Sequence, residues 1–162
     1  VVFQGKNEIK VPVDPQGKFL IDTKLEEVGV YKISFGYENL LIYLVPGDKV
    51  SVTGDVRTLL TGTRFTGDHA IENNFLLNHE NLKLTSQPED YQTFFSQGED
   101  EFIKSLEKRT NQLTENQQEY QKQHGAFDKV FADILAQDLV YDEAIVKLNY
   151  LNILSILILI NI

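Results

Sequence analysis

The punctuation of this chain changes at Gly67. Eight of the ten Gly residues and three of the four Pro residues lie at or before it, and the remainder holds only Gly98, Gly125 and Pro88. Gly and Pro serve tight turns and are poorly tolerated inside helices. The expectation is an α+β chain: residues 1–67 form a small antiparallel β-sandwich or barrel, and residues 68–162 form an α-helical region. Charge divides at the same place. Residues 1–67 carry eight basic and eight acidic side chains and the rest carries seven and sixteen, so the net charge of -9 belongs to the second part.

In the first part apolar residues recur with period two, which sends alternate side chains to one face of a strand. Tyr31, Ile33 and Phe35 alternate with Lys32 and Ser34, and Val50 and Val52 with Ser51 and Thr53. Val1 to Phe3 reads as a native strand. Glu8 to Val13 and Lys18 to Thr23 read as a hairpin through Asp14-Pro15-Gln16-Gly17, with Pro12 marking an edge or a bulge. The apolar run Leu40 to Val45, closed by Pro46-Gly47-Asp48, predicts a strand covered on both faces. Arg64 to Thr66 makes a last short strand.

Beyond Gly67 the spacing turns helical. Asp68 is the expected N-cap of a helix whose apolar face is Ile71, Phe75, Asn78 and Leu82, with Leu76 beside it. Pro88 ends that helix or begins the next. Glu99 to His124 predicts a long polar helix with a narrow stripe, Phe102, Leu106, Leu113 and Tyr120, insufficient for deep burial. Gly125 breaks it, and Phe127, Val130, Phe131, Ile134 and Leu135 form a wider face. This segment is expected to fold back on Glu99–His124 as a hairpin, or else that helix pairs across a dimer. A final helix carries Ala144, Ile145, Leu148 and Leu151. The tail 151–162 is only Leu, Ile, Asn and Ser, and its apolar stretch is short of the about 20 residues that span a bilayer. It is expected to pack as helix or strand.

The chemistry-bearing residues form no recognised motif. At 162 residues the core needs no staple, and with no Cys there is no thiol nucleophile or Cys-ligated metal. The negative charge disfavours nucleic acid and anionic membrane surfaces as partners. His79 with Glu80 hints at metal ligation, but the second imidazole of the zinc-protease helix would fall at Lys83, so a solvated His79 is expected. Gly62 to Gly67 has P-loop separation without the Lys-Ser/Thr that follows. No Gly-x-Ser-x-Gly elbow surrounds any Ser. The acids Glu99, Asp100, Glu101 and Asp138, Asp142, Glu143 read as solvated helix faces. The best candidate binding surface is aromatic: Tyr31, Phe35, Tyr37 and Tyr43 on neighbouring strands, for which core packing is the competing explanation. No Met is present, as in a processed or incomplete chain, and nothing at the N-terminus reads as a signal peptide.

Taken in order, Asp14-Pro15-Gln16-Gly17-Lys18-Phe19, Gly29-Val30-Tyr31-Lys32-Ile33, Leu41-Ile42-Tyr43-Leu44-Val45-Pro46-Gly47-Asp48, Phe65-Thr66-Gly67 and Glu72-Asn73-Asn74-Phe75-Leu76 resemble the N-terminal region of TlpA-like and peroxiredoxin-like envelope lipoproteins of bacteria. There a β-sandwich and a helical segment precede a thioredoxin domain. The resemblance covers residues 14 to about 76 and assigns structural roles: Gly17 and Gly47 in turns, with Pro46 and Asp48, Phe65 and Gly67 closing the sheet, Asn73 and Asn74 opening the helix. The family's catalytic Cys-x-x-Cys has no counterpart here, so no catalytic residue carries over. The resemblance implies a non-catalytic module of a periplasmic, lipid-anchored thiol-disulfide oxidoreductase, serving in positioning, dimerisation or partner binding, with its lipid-bearing Cys upstream of Val1. Its partners would be a thioredoxin-like domain and, through the helical region, a second copy. The alternative is a stand-alone cell-envelope ligand-binding or adhesion domain. Neither reading calls for a cofactor or a metal, and an enzyme acting through carboxylates is the least favoured.

Overall fold

The computed structural model describes residues 1–5, 7–86 and 91–160. Four strands, β1 (Val2–Gln4), β2 (Glu8–Lys10), β3 (Gly29–Phe35) and β4 (Glu38–Leu44), form an antiparallel sheet in the order β2-β1-β3-β4. A second sheet pairs β5 (Val50–Thr53) with β6 (Arg64–Gly67). Between β5 and β6 lie a 3-10 turn (Val56–Thr58) and the single-turn helix α1 (Leu59–Gly62). Four helices follow: α2 (Ala70–Thr85), α3 (Tyr91–Phe95), α4 (Glu99–His124) and α5 (Lys129–Ile160). The α+β expectation holds: among the described residues every strand ends by Gly67, and apart from the single turn of α1 the helices follow it.

Register explains the two cores. Phe3 pairs with Ile33 and Ile33 with Leu40, while Tyr31 pairs with Ile42, so these side chains share one face of the larger sheet. That face joins Phe65 of the smaller sheet, Leu59 of α1 and Leu77 of α2 in one buried cluster. Tyr43, one residue on from Ile42, points the other way and packs with Phe75, Leu76, Phe127, Phe131 and Leu135. β4 is thus buried on both faces, as its unbroken apolar run predicts. Gly67 sits at φ 93° with Lys49 O where a Cβ would lie, 2.3 Å away, so the switch from strand to helix requires glycine there.

Several expectations are corrected. The Asp14–Gly17 turn forms, with Asp14 Oδ1 accepting from Gln16 N and Lys18 N, but Lys18 to Thr23 is not a strand. Pro12 withholds a donor from that side of β2, and the segment instead lays Ile21 and Phe19 over the first core and Phe35. Asp68 does not cap α2. Its carboxylate accepts from Lys49 N at 2.8 Å, and His69, at φ 50°, stands in the cap position. The buried face of α2 is Glu72, Asn73, Phe75, Leu76, Leu77 and His79, while Ile71 is exposed.

The stripe of α4 is deeply buried, with Phe102, Leu106, Arg109 and Leu113 all inside. α5 is one 32-residue helix where two were expected; it contains no Gly or Pro to divide it, and Asp128 caps its start by accepting from Val130 N and Phe131 N. At 1.5 Å per residue it is about 48 Å long. It runs back along α4 within the chain: Phe102 stacks on Tyr150 at 3.8 Å and Arg109 pairs with Asp142 through its two terminal guanidinium nitrogens. Tail residues 151–160 continue α5, and Pro88 and residues 161–162 lie outside the described residues. Among the described residues no helix is long and apolar enough to cross a membrane.

Candidate functional site: the polar face of helix α2

An unpartnered buried polar group costs about 1–3 kcal/mol, so every polar side chain on the inner face of α2 calls for an explanation. The first turn is fully explained. Asn73 lies against β4, an edge strand, and its amide meets both main-chain groups of Tyr43. Tyr43 N donates to Oδ1 at 2.7 Å, and Nδ2 donates to Tyr43 O at 3.0 Å. Asn74 repeats the arrangement on β6, accepting from Phe65 N at 3.0 Å and donating to Phe65 O at 2.9 Å. A carboxamide presents donor and acceptor side by side, as a peptide does, so each Asn stands in for a missing strand. Each Nδ2 also donates back into the start of the helix, to His69 O and Ala70 O. Two successive residues therefore close the edges of two different sheets.

The same turn is tied to α5. Tyr43 donates its hydroxyl to Asp128 at 2.6 Å, and Asp128 N donates to Glu72 at 2.9 Å. The His69 ring sits between Asp48 and Glu72, 3.7 Å from each. Burial pushes the Tyr43 hydroxyl well above the ordinary phenol range, and its bond to Asp128 adds to the shift. That bond in turn holds the Asp128 carboxyl below the usual carboxylate range.

Two turns further along, the pattern changes. His79 is not solvated: it is 4% exposed, with its ring stacked on Phe75. Among the described residues neither ring nitrogen has a hydrogen-bond partner. Its nearest acceptor is Asp138 on α5, with Nε2 to Oδ2 at 3.5 Å, an electrostatic contact longer than a good hydrogen bond. Lys83 reaches the same Asp138 oxygen at 2.9 Å and Glu80 at 3.2 Å. The nearby imidazole holds the Asp138 carboxyl down at about 2, against desolvation, with Lys83 assisting. Burial of Lys83 disfavours its charged form, yet Asp138 and Glu80 outweigh that and raise its pKa. One donor atom from each of His79, Glu80 and Asp138 lies within 4.8 Å of the others.

The aromatic candidates separate. Tyr43 is wholly buried and Tyr37 wholly exposed at the β3–β4 turn. Tyr31 stacks on Phe3, and Phe35 meets Phe19 edge-on. Tyr31 and Phe35 share the first core with Ile33, so the four rings do not compose one surface. Tyr37 does line an open groove with Leu41, Leu60, Leu84 and Glu80. Of the acids read as solvated, Asp142 binds Arg109 and Asp138 binds Lys83, whereas Glu143 pairs with Lys147 on the surface. The missed residue is Asp138: its partners are on another helix, and no local spacing points to it. The chain matches no family model, no curated protein and no solved structure.

Proposed function

We propose that this chain is a non-catalytic positioning and dimerisation module and, following the resemblance, one that serves a thioredoxin-like oxidoreductase of the cell envelope. The observation that carries the reading is the outward face of α5. Val140, Tyr141, Ile145, Leu148 and Leu151 are each more than half exposed. With Ala144 they lie opposite Asp142, Val146 and Tyr150, which turn inward. Tyr141, Ala144, Leu148 and Leu151 alternate by three and four residues, the spacing of a seam between helices.

The occupant proposed for this strip is α5 of a second copy, because a two-fold axis lets one self-complementary strip serve both chains. Glu143 and Lys147 pair beside it at 2.6 Å, so its margin offers a copy one charge of each sign. The net charge of -9 per chain opposes the association, which tightens as salt screens it.

Sedimentation velocity tests the dimer. A dimer strengthened by salt and split by Leu148→Glu supports it, and a monomer at every concentration and salt level removes it. The redox role is tested separately in a polypeptide that also carries the thioredoxin-like domain. Deleting residues 1–150 should then change reductase rate or partner range, and no change in either defeats the positioning role.

A further inference from the structure

We propose that His79, Glu80 and Asp138 form a binding site for a divalent first-row transition-metal ion of the Zn2+ class, from which the ion displaces the Lys83 ammonium. The first support is the imidazole. A side chain 4% exposed, with both nitrogens lacking hydrogen-bond partners among the described residues, carries a penalty, and ligation through Nε2 removes that nitrogen's share of it. Nε2 already faces the Asp138 carboxylate at 3.5 Å.

The second support is that a cation occupies this position now. The ammonium of Lys83 bridges Glu80 and Asp138 at 3.2 and 2.9 Å, so the two carboxylates are preset for positive charge. The donor set selects among metals. One imidazole with two carboxylates suits Zn2+ and its neighbours, whereas Ca2+ and Mg2+ favour oxygen throughout. Bonds of about 2.0–2.2 Å place tetrahedral ligands about 3.3 Å apart. Donor atoms already within 4.8 Å of one another reach that spacing by side-chain rotation of Glu80 and Asp138, and water completes the shell. Entry is open, since Glu80 lines the Tyr37 groove and Asp138 is 40% exposed.

Lys83 therefore acts as a built-in competitor. It stands four residues after His79, where a zinc-protease helix has its second imidazole, and the further ligand comes instead from α5. The ion would join α2 to α5 by coordination in place of an ion pair.

Titration of the intact chain with Zn2+ against a chromogenic chelator tests the site, read together with 15N spectra of the imidazoles. One ion per chain is expected, with the Nε2 signal of His79 shifted and those of His69 and His124 unmoved. His79→Gln and Asp138→Asn should each weaken binding by about 100-fold, and Lys83→Met should tighten it by about 10-fold. Should His79→Gln fail to fold, the His79 signal of the parent chain decides. Binding that moves His69 or His124 instead, or no binding by either the parent or Lys83→Met, overturns the proposal.

Discussion

The first and third turns of α2 bury polar side chains to nearly the same depth, Asn73 at 0% exposed and His79 at 4%. Asn73 spends its donors and acceptor on Tyr43 and His69, whereas His79 has no hydrogen-bond partner among the described residues. The difference separates two uses of buried polarity on one helix. At the first turn polarity completes the fold, since a sheet edge needs partners and a carboxamide has the shape of one. At the third turn the imidazole ties α2 to α5 only through its electrostatic contact with Asp138, and its hydrogen-bonding nitrogens are left for a ligand.

Asn73→Ala leaves Tyr43 N and O without partners at a buried edge and should cost about 3 kcal/mol or more in urea unfolding. A cost near zero would show that β4 needs no closure. Asn74→Ala should cost less, about 1–2 kcal/mol, because its contacts to Phe65 are only partly buried.

The first turn of α2 also shapes the acid and alkaline limbs of stability through Asp128 and Tyr43. Asp128 titrates low in the folded chain, so its contribution is whole above the ordinary carboxylate range and is lost as pH falls through its lowered value. Tyr43 titrates high, so its contribution is whole below the ordinary phenol value and fades as pH rises through the raised one. Tyr43→Phe should flatten both limbs in pH-dependent unfolding. Unchanged limbs would mean that the Tyr43–Asp128 bond does not couple β4 to α5.

Much of the sheet half was legible because its strands are read by neighbours in sequence. Period two marks β3 and β5, the apolar run marks β4, and Pro46-Gly47-Asp48 marks the turn between them. Lys18 to Thr23 misled because a strand also requires an available edge, and Pro12 denies one. The helical half hid more. Apolar spacing pointed to Phe75 and Leu76 on α2, which are buried, but also to Ile71, Asn78 and Leu82, while the buried face takes in Glu72 and Asn73, whose partners lie at the start of α5 and on β4, and His79, which faces Asp138 on α5. The two helices expected after Gly125 are one, since a face that rotates along an uninterrupted helix reads as a break. Asp138 was visible only as one acid among many, and its meaning depends on α5 folding back beside α2.

The most direct test of the division within α2 is urea unfolding of Asn73→Ala and His79→Leu side by side in metal-free buffer. Leu removes an imidazole without a hydrogen bond, keeps an apolar contact for Phe75 and leaves Asp138 its ion pair with Lys83, so His79→Leu should cost no more than about 1–2 kcal/mol, while Asn73→Ala falls well below it. A loss at His79→Leu equal to or greater than that at Asn73→Ala would make the imidazole a structural group on a par with Asn73 and remove the division between the two turns.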